Sequence, residues 1–172
     1  MSYVNPFESP QQVTIPALSQ AQPKIPTYSL VMLIIDLVLR GLRLLVVLLG
    51  IVGIVALQDE PDMFFYGVLE VVTGGMMVVF GGLGDILLLM KKRVGVYLCW
   101  LGIAATLANM GVGLAELPLQ FERGAFADPA MPNADSIKMV AWTAAILTLL
   151  FRLTLTVMYG VAVYLADKSL RK

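Results

Sequence analysis

Residues 62–93 read DMFFYGVLEVVTGGMMVVFGGLGDILLLMKKR, an apolar stretch that begins at Asp62, carries Glu70 and Asp85 in its interior and ends in three basic residues. Within it, Gly67, Gly74 and Gly81 recur every seven residues. On an α-helix this spacing places the three glycines on one face, and Glu70 and Asp85 fall beside them at about 100° of turn per residue. One face of the predicted helix is therefore both small and acidic.

Composition predicts a membrane protein. The chain has 172 residues, of which 59% are hydrophobic and 14% are charged, and its mean hydropathy is +0.84. Soluble domains usually carry about 25% charged residues. The apolar residues collect into four runs, each longer than the roughly 20 residues that cross a bilayer. We therefore predict an all-α membrane protein that crosses the lipid bilayer several times.

The four runs also predict the domain organisation, because short connections between successive helices make them antiparallel. The expected fold is a four-helix antiparallel transmembrane bundle with a disordered N-terminal tail. The tail, 1–27, is rich in proline and glutamine and cannot bury enough apolar surface to become ordered. The transmembrane domain is 28–166, with spans at 28–57, 63–90, 94–117 and 137–166, and a basic tail follows at 167–172. All nine prolines lie outside these spans.

The distribution of charge predicts the orientation in the membrane. With four spans, the basic residues Lys24, Lys91–Arg93 and Lys168–Lys172 all lie on one side, and acids dominate the connections on the other side. Basic residues in short loops tend to remain in the cytoplasm. We therefore expect both termini to be cytoplasmic, in a membrane such as the bacterial inner membrane.

Residue content argues against several classes of function. The sequence contains no histidine and one cysteine, Cys99, so an intrachain disulfide and a His/Cys metal site are both ruled out. The net charge of zero gives no electrostatic support for nucleic-acid binding. We expect no metal, no cofactor and no enzymatic activity; a carboxylate enzyme inside the bilayer is the least favoured class.

A first group of candidate site residues lies at mid-membrane depth. A charge at the centre of a span costs about 2.5–3.5 kcal/mol on insertion scales, so Arg152 in the middle of the fourth run needs partners. Counting residues from the acidic side places Glu70 and Asn109 within reach of a long arginine. The prediction is an intramembrane polar cluster of Glu70, Asn109, Arg152 and Tyr159, with Glu70 as the countercharge of Arg152.

A second group lies on the first helix. Asp36, Arg40 and Arg43 are spaced i, i+4 and i+7 and form one ridge. Depth counting places them near the cytoplasmic interface, where Asp85 of the second run also lies. We predict a cytoplasmic-side charge layer in which Asp36 pairs with Arg40, the arginines extend towards head groups, and Asp85 is an alternative partner for either arginine.

The third run repeats the seven-residue spacing of the second. Gly95, Gly102, Asn109 and Glu116 form a stripe that is small at one end and polar at the other. Small residues let helix backbones approach closely in lipid, where packing replaces the hydrophobic effect. The predicted helix-packing residues are Gly67, Gly74, Gly81, Gly95 and Gly102.

Two functional hypotheses follow. The favoured one is a non-enzymatic accessory or scaffold subunit that packs with another membrane protein or with a second copy of itself. In that case the charged cluster fixes which helices meet, since helices packed on glycines should leave little room for a cavity. The alternative is a small transporter or ligand-binding membrane protein that uses the Glu/Asn/Arg cluster to hold a small polar or anionic ligand.

Overall fold

The computed structural model describes the backbone of residues 24–123 and 134–171 and the side chains of 24–119 and 136–171. The described residues form four α-helices: α1 Thr27–Ala56, α2 Pro61–Leu89, α3 Val94–Arg123 and α4 Ala134–Leu170. Each helix is long and apolar enough to cross a membrane. The protein is therefore an integral, multi-pass membrane protein with an all-α four-helix bundle, as predicted. Most of the predicted disordered tail, 1–23, lies outside the described residues.

Prolines mark the helix ends less sharply than the sequence analysis assumes. Pro61 occupies the first position of α2, where its missing amide proton leaves no helical hydrogen bond unmade. Pro118 lies inside α3, which continues to Arg123 instead of ending at Leu117. A proline removes one backbone hydrogen bond, to the carbonyl four residues earlier, and the turns on either side of it keep theirs.

The glycine face of α2 packs against α1 in a regular antiparallel register. Each step of seven residues along α2 meets a step of seven along α1, so the same spacing on both helices brings one ridge into one groove. The contacting pairs are Gly67 with Ile54, Gly74 with Val47 and Gly81 with Arg40. A side chain at Gly81 would overlap the Arg40 guanidinium, so this glycine makes the space in which Arg40 lies.

The α2–α3 pair has the most extensive contact in the bundle. A Cβ at Gly84 would lie 2.6 Å from the backbone nitrogen of Cys99, and one at Gly102 would lie 2.7 Å from the Cα of Gly81. A Cβ at Gly95 would lie 2.7 Å from the Gly84 carbonyl oxygen. The two backbones touch along this line, so the two predicted glycine stripes face each other. Gly84 is absent from the predicted set, although it lies one turn from Gly81.

The bundle is apolar outside and polar inside. Most large hydrophobic side chains of α1 and α4 are exposed, whereas Arg40, Asp85, Asn109 and Glu116 are buried. Ionised side chains are almost never fully buried in proteins unless they are paired. Lipid covers such an apolar exterior, and the interior charges must find their partners within the bundle.

The two ends of the bundle differ in charge and packing. We call the end with the α2–α3 turn and the last turn of α4 the basic end, and the end with the α1–α2 turn the acidic end. At the basic end, Arg93 Nε lies 3.6 Å from Asp167 Oδ1, which joins the turn to α4. This end is filled by an apolar core of Leu33, Leu88, Val96, Cys99, Ile103, Tyr159, Val163 and Ala166.

Candidate functional site

The polar side chains inside the bundle form two layers at different depths. The Asn109 layer, nearer the acidic end, consists of Arg43, Glu70, Asn109 and Arg152. The Asp85 layer, nearer the basic end, consists of Asp36, Arg40, Asp85 and Tyr159. Each layer combines residues from both predicted groups: Arg43 joins the first group and Tyr159 joins the second.

The Asn109 layer is centred on one buried amide. Arg43 and Arg152 each donate from Nη2 to the Asn109 side-chain oxygen, at 2.9 Å and 3.0 Å. The Asn109 Nδ2 group donates to the Glu70 backbone carbonyl at 3.2 Å and to the Thr73 hydroxyl oxygen at 3.0 Å. Arg43 Nη2 also lies 3.1 Å from Glu70 Oε1, forming an ion pair. Asn109 thus links all four helices.

Arg152 does not pair with Glu70, its expected countercharge. Glu70 pairs with Arg43, and Arg152 hydrogen-bonds to Asn109 instead. The reason is the order of the helices, because α1 packs directly on α2 whereas α4 packs on α1 and α3. Arg43 therefore belongs with Glu70 and not with Asp85. Among the described residues, no carboxylate forms an ion pair with Arg152.

The Asp85 layer surrounds the Arg40 guanidinium. Arg40 donates to the Asp36 carboxylate, as the i, i+4 spacing predicts, and to the Met77 carbonyl. Its Nε lies 3.5 Å from Asp85 Oδ2. The guanidinium carbon is 5.3 Å from the centre of the Tyr159 ring, within the range of a cation–π contact. Arg40 is held inside the bundle and does not extend to the head groups.

Asp85 is the most enclosed acid of the two layers, with 0% exposure. Its Oδ1 accepts a hydrogen bond from the Tyr159 hydroxyl and a weaker one from the Cys99 thiol, whose sulfur is 3.7 Å away. Its Oδ2 accepts no hydrogen bond from any described residue and faces Arg40. The buried carboxylate therefore depends on Arg40 for its charge compensation.

Tyr159 lies in the other layer from the one predicted. The sequence pattern predicts a place beside Glu70 and Arg152, but the Tyr159 hydroxyl donates to Asp85. Seven residues separate Tyr159 from Arg152 on α4, which is about 10 Å along a helix axis. Two turns of helix thus carry Tyr159 towards the basic end.

Thr73 is a polar contact that the sequence analysis does not single out. Its hydroxyl donates to the Leu69 carbonyl at 2.7 Å and accepts from Asn109. Thr73 follows Glu70 by three residues and precedes Gly74, so it lies on the same small, polar face of α2. That position is the signal that could have identified it.

A central cavity of about 250 Å³ lies between α1, α3 and α4 beside both layers. The tight glycine packing of α2 on α3 does not extend to α4, so a space remains beside α4, contrary to the expectation that glycine packing leaves little room for a cavity. The cavity is lined by Asp36, Leu39, Arg40, Arg43, Met77, Ile103, Thr106, Phe151, Arg152, Leu155, Thr156 and Tyr159.

A second cavity of about 360 Å³, the acidic-end cavity, lies between α1, α2 and α3. It follows α1 from Arg43 to Leu57, and it also contains Glu70 and Glu116. Arg43 lines both cavities. The side chain of Arg43 therefore lies at the boundary between the two spaces.

Charged side chains line the central cavity. Three guanidinium groups reach it, and two of them have carboxylate partners: Arg40 with Asp36 and Arg43 with Glu70. Arg152 has the neutral Asn109 amide as its hydrogen-bond partner. Within the described ranges, no three His, Cys, Asp or Glu side chains converge in a way that could hold a metal ion.

Comparison with protein-family models, with curated proteins and with solved structures finds no significant match to this chain.

Proposed function

We propose that this protein is a non-enzymatic membrane protein that binds a small anionic solute in the central cavity. The observation that carries the proposal is the position of Arg152. Arg152 lines the cavity from the middle of α4, a membrane-spanning helix, and its hydrogen bond goes to a neutral amide. A positive charge at that depth is unfavourable without a countercharge, so a bound anion lowers its free energy.

The geometry of the cavity suits a carboxylate or a similar oxyanion. Arg43 and Arg152 share one acceptor, the Asn109 oxygen, so their guanidinium groups converge on the same region. Guanidinium groups bind carboxylates through paired, charge-assisted hydrogen bonds. The ligand oxygens would join the Asn109 oxygen as acceptors for the two arginines.

The rim of the central cavity suits a short apolar body on the ligand. Leu39 is 43% exposed and Phe151 is 66% exposed, and both line the cavity where α1 faces α4. An anion with a small hydrocarbon part would place its charge at Arg152 and its apolar part against these side chains. Such a molecule is either a water-soluble organic acid or an anionic lipid, and the experiment below separates them.

A scaffold role has weaker support. It draws on the exposed apolar faces of the helices, and α1 in particular has few buried residues. Lipid covers such faces equally well, so their exposure does not distinguish a protein partner from the bilayer. The charged cavity is a feature that lipid packing alone does not require.

The test is ligand-induced stabilisation of the purified protein in mild detergent. We expect benzoate to raise the unfolding temperature in a concentration-dependent way. Arg152→Gln should abolish this rise, whereas Arg171→Gln, which removes an exposed arginine at the basic end, should retain it. Succinate, inorganic phosphate and a short-chain phosphatidic acid complete the panel, and stabilisation by the lipid alone identifies an anionic lipid as the ligand. If no anion stabilises the wild-type protein, or if Arg152→Gln responds as the wild type does, the proposal is wrong.

A further inference from the structure

Resting on the proposed function, we infer that the acidic-end cavity is the route by which the solute enters the central cavity. The Arg43–Glu70 ion pair lies between the two cavities and acts as the gate. The protein would then conduct an anion from one end of the bundle to its binding site, which extends the proposed function from binding to translocation.

The shape of the acidic-end cavity supports a route. Its lining follows α1 from Arg43 to Leu57, the residue that caps the C-terminal end of the helix. Fourteen residues of α-helix span about 21 Å, so the cavity extends from the Asn109 layer to the acidic end. Gly53 lines it, and an added Cβ there would meet nothing within 4 Å, so the space beside this residue is unfilled.

The ion pair at the boundary is open enough to exchange partners. The side chains of Arg43 and Glu70 are 23% and 43% exposed, whereas those of Arg40 and Asp85 are 5% and 0% exposed. The Nε of Arg43 is buried and has no hydrogen-bond partner among the described atoms, so this guanidinium has a donor to spare. An arriving carboxylate can therefore displace Glu70 from Arg43 at little cost and pass on to Arg152.

The opposite end of the bundle is closed. The apolar core at the basic end includes Leu33, Leu88 and Val163, each of which is 0% exposed. Beyond Tyr159 the central cavity meets this packed core. Among the described residues, a packed barrier therefore lies towards the basic end and the acidic-end cavity lies on the other side of the Asn109 layer, an arrangement that a one-sided entry route requires.

Two acids of the acidic-end cavity affect passage of the solute. Glu70 and Glu116 face the cavity together with Arg43. Glu70 competes with the solute for the Arg43 guanidinium, so the Glu70 charge slows passage through the gate. Removal of this charge should open the connection between the two cavities.

Thiol accessibility in membrane vesicles tests this route. Gly53→Cys places a thiol in the acidic-end cavity, where an added side chain meets nothing within 4 Å, and Thr106→Cys places one in the central cavity. Gly41→Cys is the control, because its side chain also meets nothing within 4 Å but points to lipid from an exposed position. All three variants also carry Cys99→Ser. The membrane-impermeant reagent 2-sulfonatoethyl methanethiosulfonate is added outside right-side-out vesicles and, separately, outside inside-out vesicles, so that each face of the membrane is tested in turn.

We expect Gly53→Cys to react from one side only and Gly41→Cys not to react. Thr106→Cys should react from the same side as Gly53→Cys, and Glu70→Gln should accelerate that reaction about three- to fivefold, the factor that about 0.7–1 kcal/mol of lost ion pairing corresponds to. Arg43→Gln should accelerate it as well, since it breaks the same pair. An unchanged Gly53→Cys rate in these variants shows that the bundle remains folded.

The route is wrong if Thr106→Cys reacts from the opposite side, or if breaking the ion pair leaves its rate unchanged. A separate measurement distinguishes failure of the route from failure of the proposed function. Benzoate should protect Thr106→Cys, and Arg152→Gln should remove the protection. If breaking the ion pair accelerates labelling of Thr106→Cys but benzoate does not protect the thiol, the proposed anion site is wrong and the route stands. If benzoate protects the thiol but breaking the ion pair has no effect on the labelling rate, the route alone is wrong.

Discussion

Arg43 and Arg152, which lie on two different helices, donate to the same atom, the side-chain oxygen of Asn109, at 2.9 Å and 3.0 Å. Two like charges converge on a single neutral acceptor. Such an arrangement is costly in the absence of a further anion, because each guanidinium repels the other and only Arg43 has a carboxylate partner. It is the most specific feature of the bundle, and it makes Asn109 the first residue to test.

Asn109→Ala should destabilise the protein, because both arginines lose their shared acceptor. Leaving a buried hydrogen-bonding group unsatisfied costs about 1–3 kcal/mol, and we expect a loss in this range in the free energy of unfolding. Saturating benzoate should restore more stability to this variant than to the wild type. Asn109→Asp is the matched variant: its carboxylate serves both arginines, so benzoate binding should weaken about tenfold or more. Unchanged benzoate affinity in Asn109→Asp would contradict the role of the two arginines.

Gly84→Ala should destabilise the α2–α3 contact. The added methyl group would lie 2.6 Å from the Cys99 backbone nitrogen, and a backbone cannot move away as a flexible side chain can. Overpacking of this kind costs about 1–3 kcal/mol. Gly75→Ala on the same helix is the control, since a Cβ there meets nothing within 4 Å. Equal unfolding free energies for the two variants in detergent would show that the backbone contact is not needed for stability.

Asp85→Asn and Glu70→Gln should have very different effects on stability. Asp85 is fully buried against Arg40, so loss of its charge leaves a buried cation partly uncompensated, at a cost of about 3–5 kcal/mol. The Glu70 side chain is 43% exposed, and loss of its ion pair should cost less than about 1 kcal/mol. Unfolding by a denaturing detergent measures both variants. A larger loss of stability in Glu70→Gln than in Asp85→Asn would contradict the greater contribution of the buried Arg40–Asp85 pair.

Lys91→Gly should stabilise the α2–α3 turn. Lys91 has φ = 59°, in the left-handed region, and its backbone nitrogen donates to the Leu88 carbonyl while that of Lys92 donates to the Leu87 carbonyl. This helix-ending pattern usually has glycine at the left-handed position. Relief of the Cβ strain should raise stability by about 1 kcal/mol. Lys92→Gly should not raise the unfolding temperature. Thermal unfolding of the two variants measures the difference, and an equal rise in both would contradict the strain at Lys91.

Both termini should face the cytoplasm. The Arg93–Asp167 contact places the basic turn and the end of α4 at the same end of the bundle, so their positive charges act together in setting the orientation. A reporter fused after Lys172 should therefore be active or accessible only from the cytoplasmic side. Replacement of Lys91, Lys92 and Arg93 by glutamine should reduce this preference. Access to the fused reporter from the outside alone would contradict the orientation.

The antiparallel pairing of the first three helices follows from features that are visible in the sequence. The glycines of the second run and the small residues of the third run both repeat every seven positions, and in the structure these two stripes face each other, with Gly81 against Gly102. Short connections require neighbouring helices to be antiparallel. Periodicity therefore predicts which faces pack and how closely.

The ion pairs were harder to predict. Depth counting brought Arg152 near Glu70 and grouped Arg43 with Asp85, but Arg43 pairs with Glu70. One turn of helix separates Arg40 from Arg43, and their side chains extend in different directions, one to each layer. An arginine side chain is longer than one helical turn, so the depth of its Cα does not determine where its charge lies.

The sequence by itself therefore determined the class of protein, the number of spans and the glycine faces, because those properties depend on local composition and helical period. Only the tertiary structure decided the order of the helices around the bundle, in which α4 packs on α1 and α3 and lies across from α2. That order makes Glu70 a partner of Arg43, leaves Arg152 on the amide of Asn109, and opens the central cavity beside it. The physical reason is that a charge inside a membrane protein pairs with the group that packing brings within reach, and packing is a property of the whole bundle.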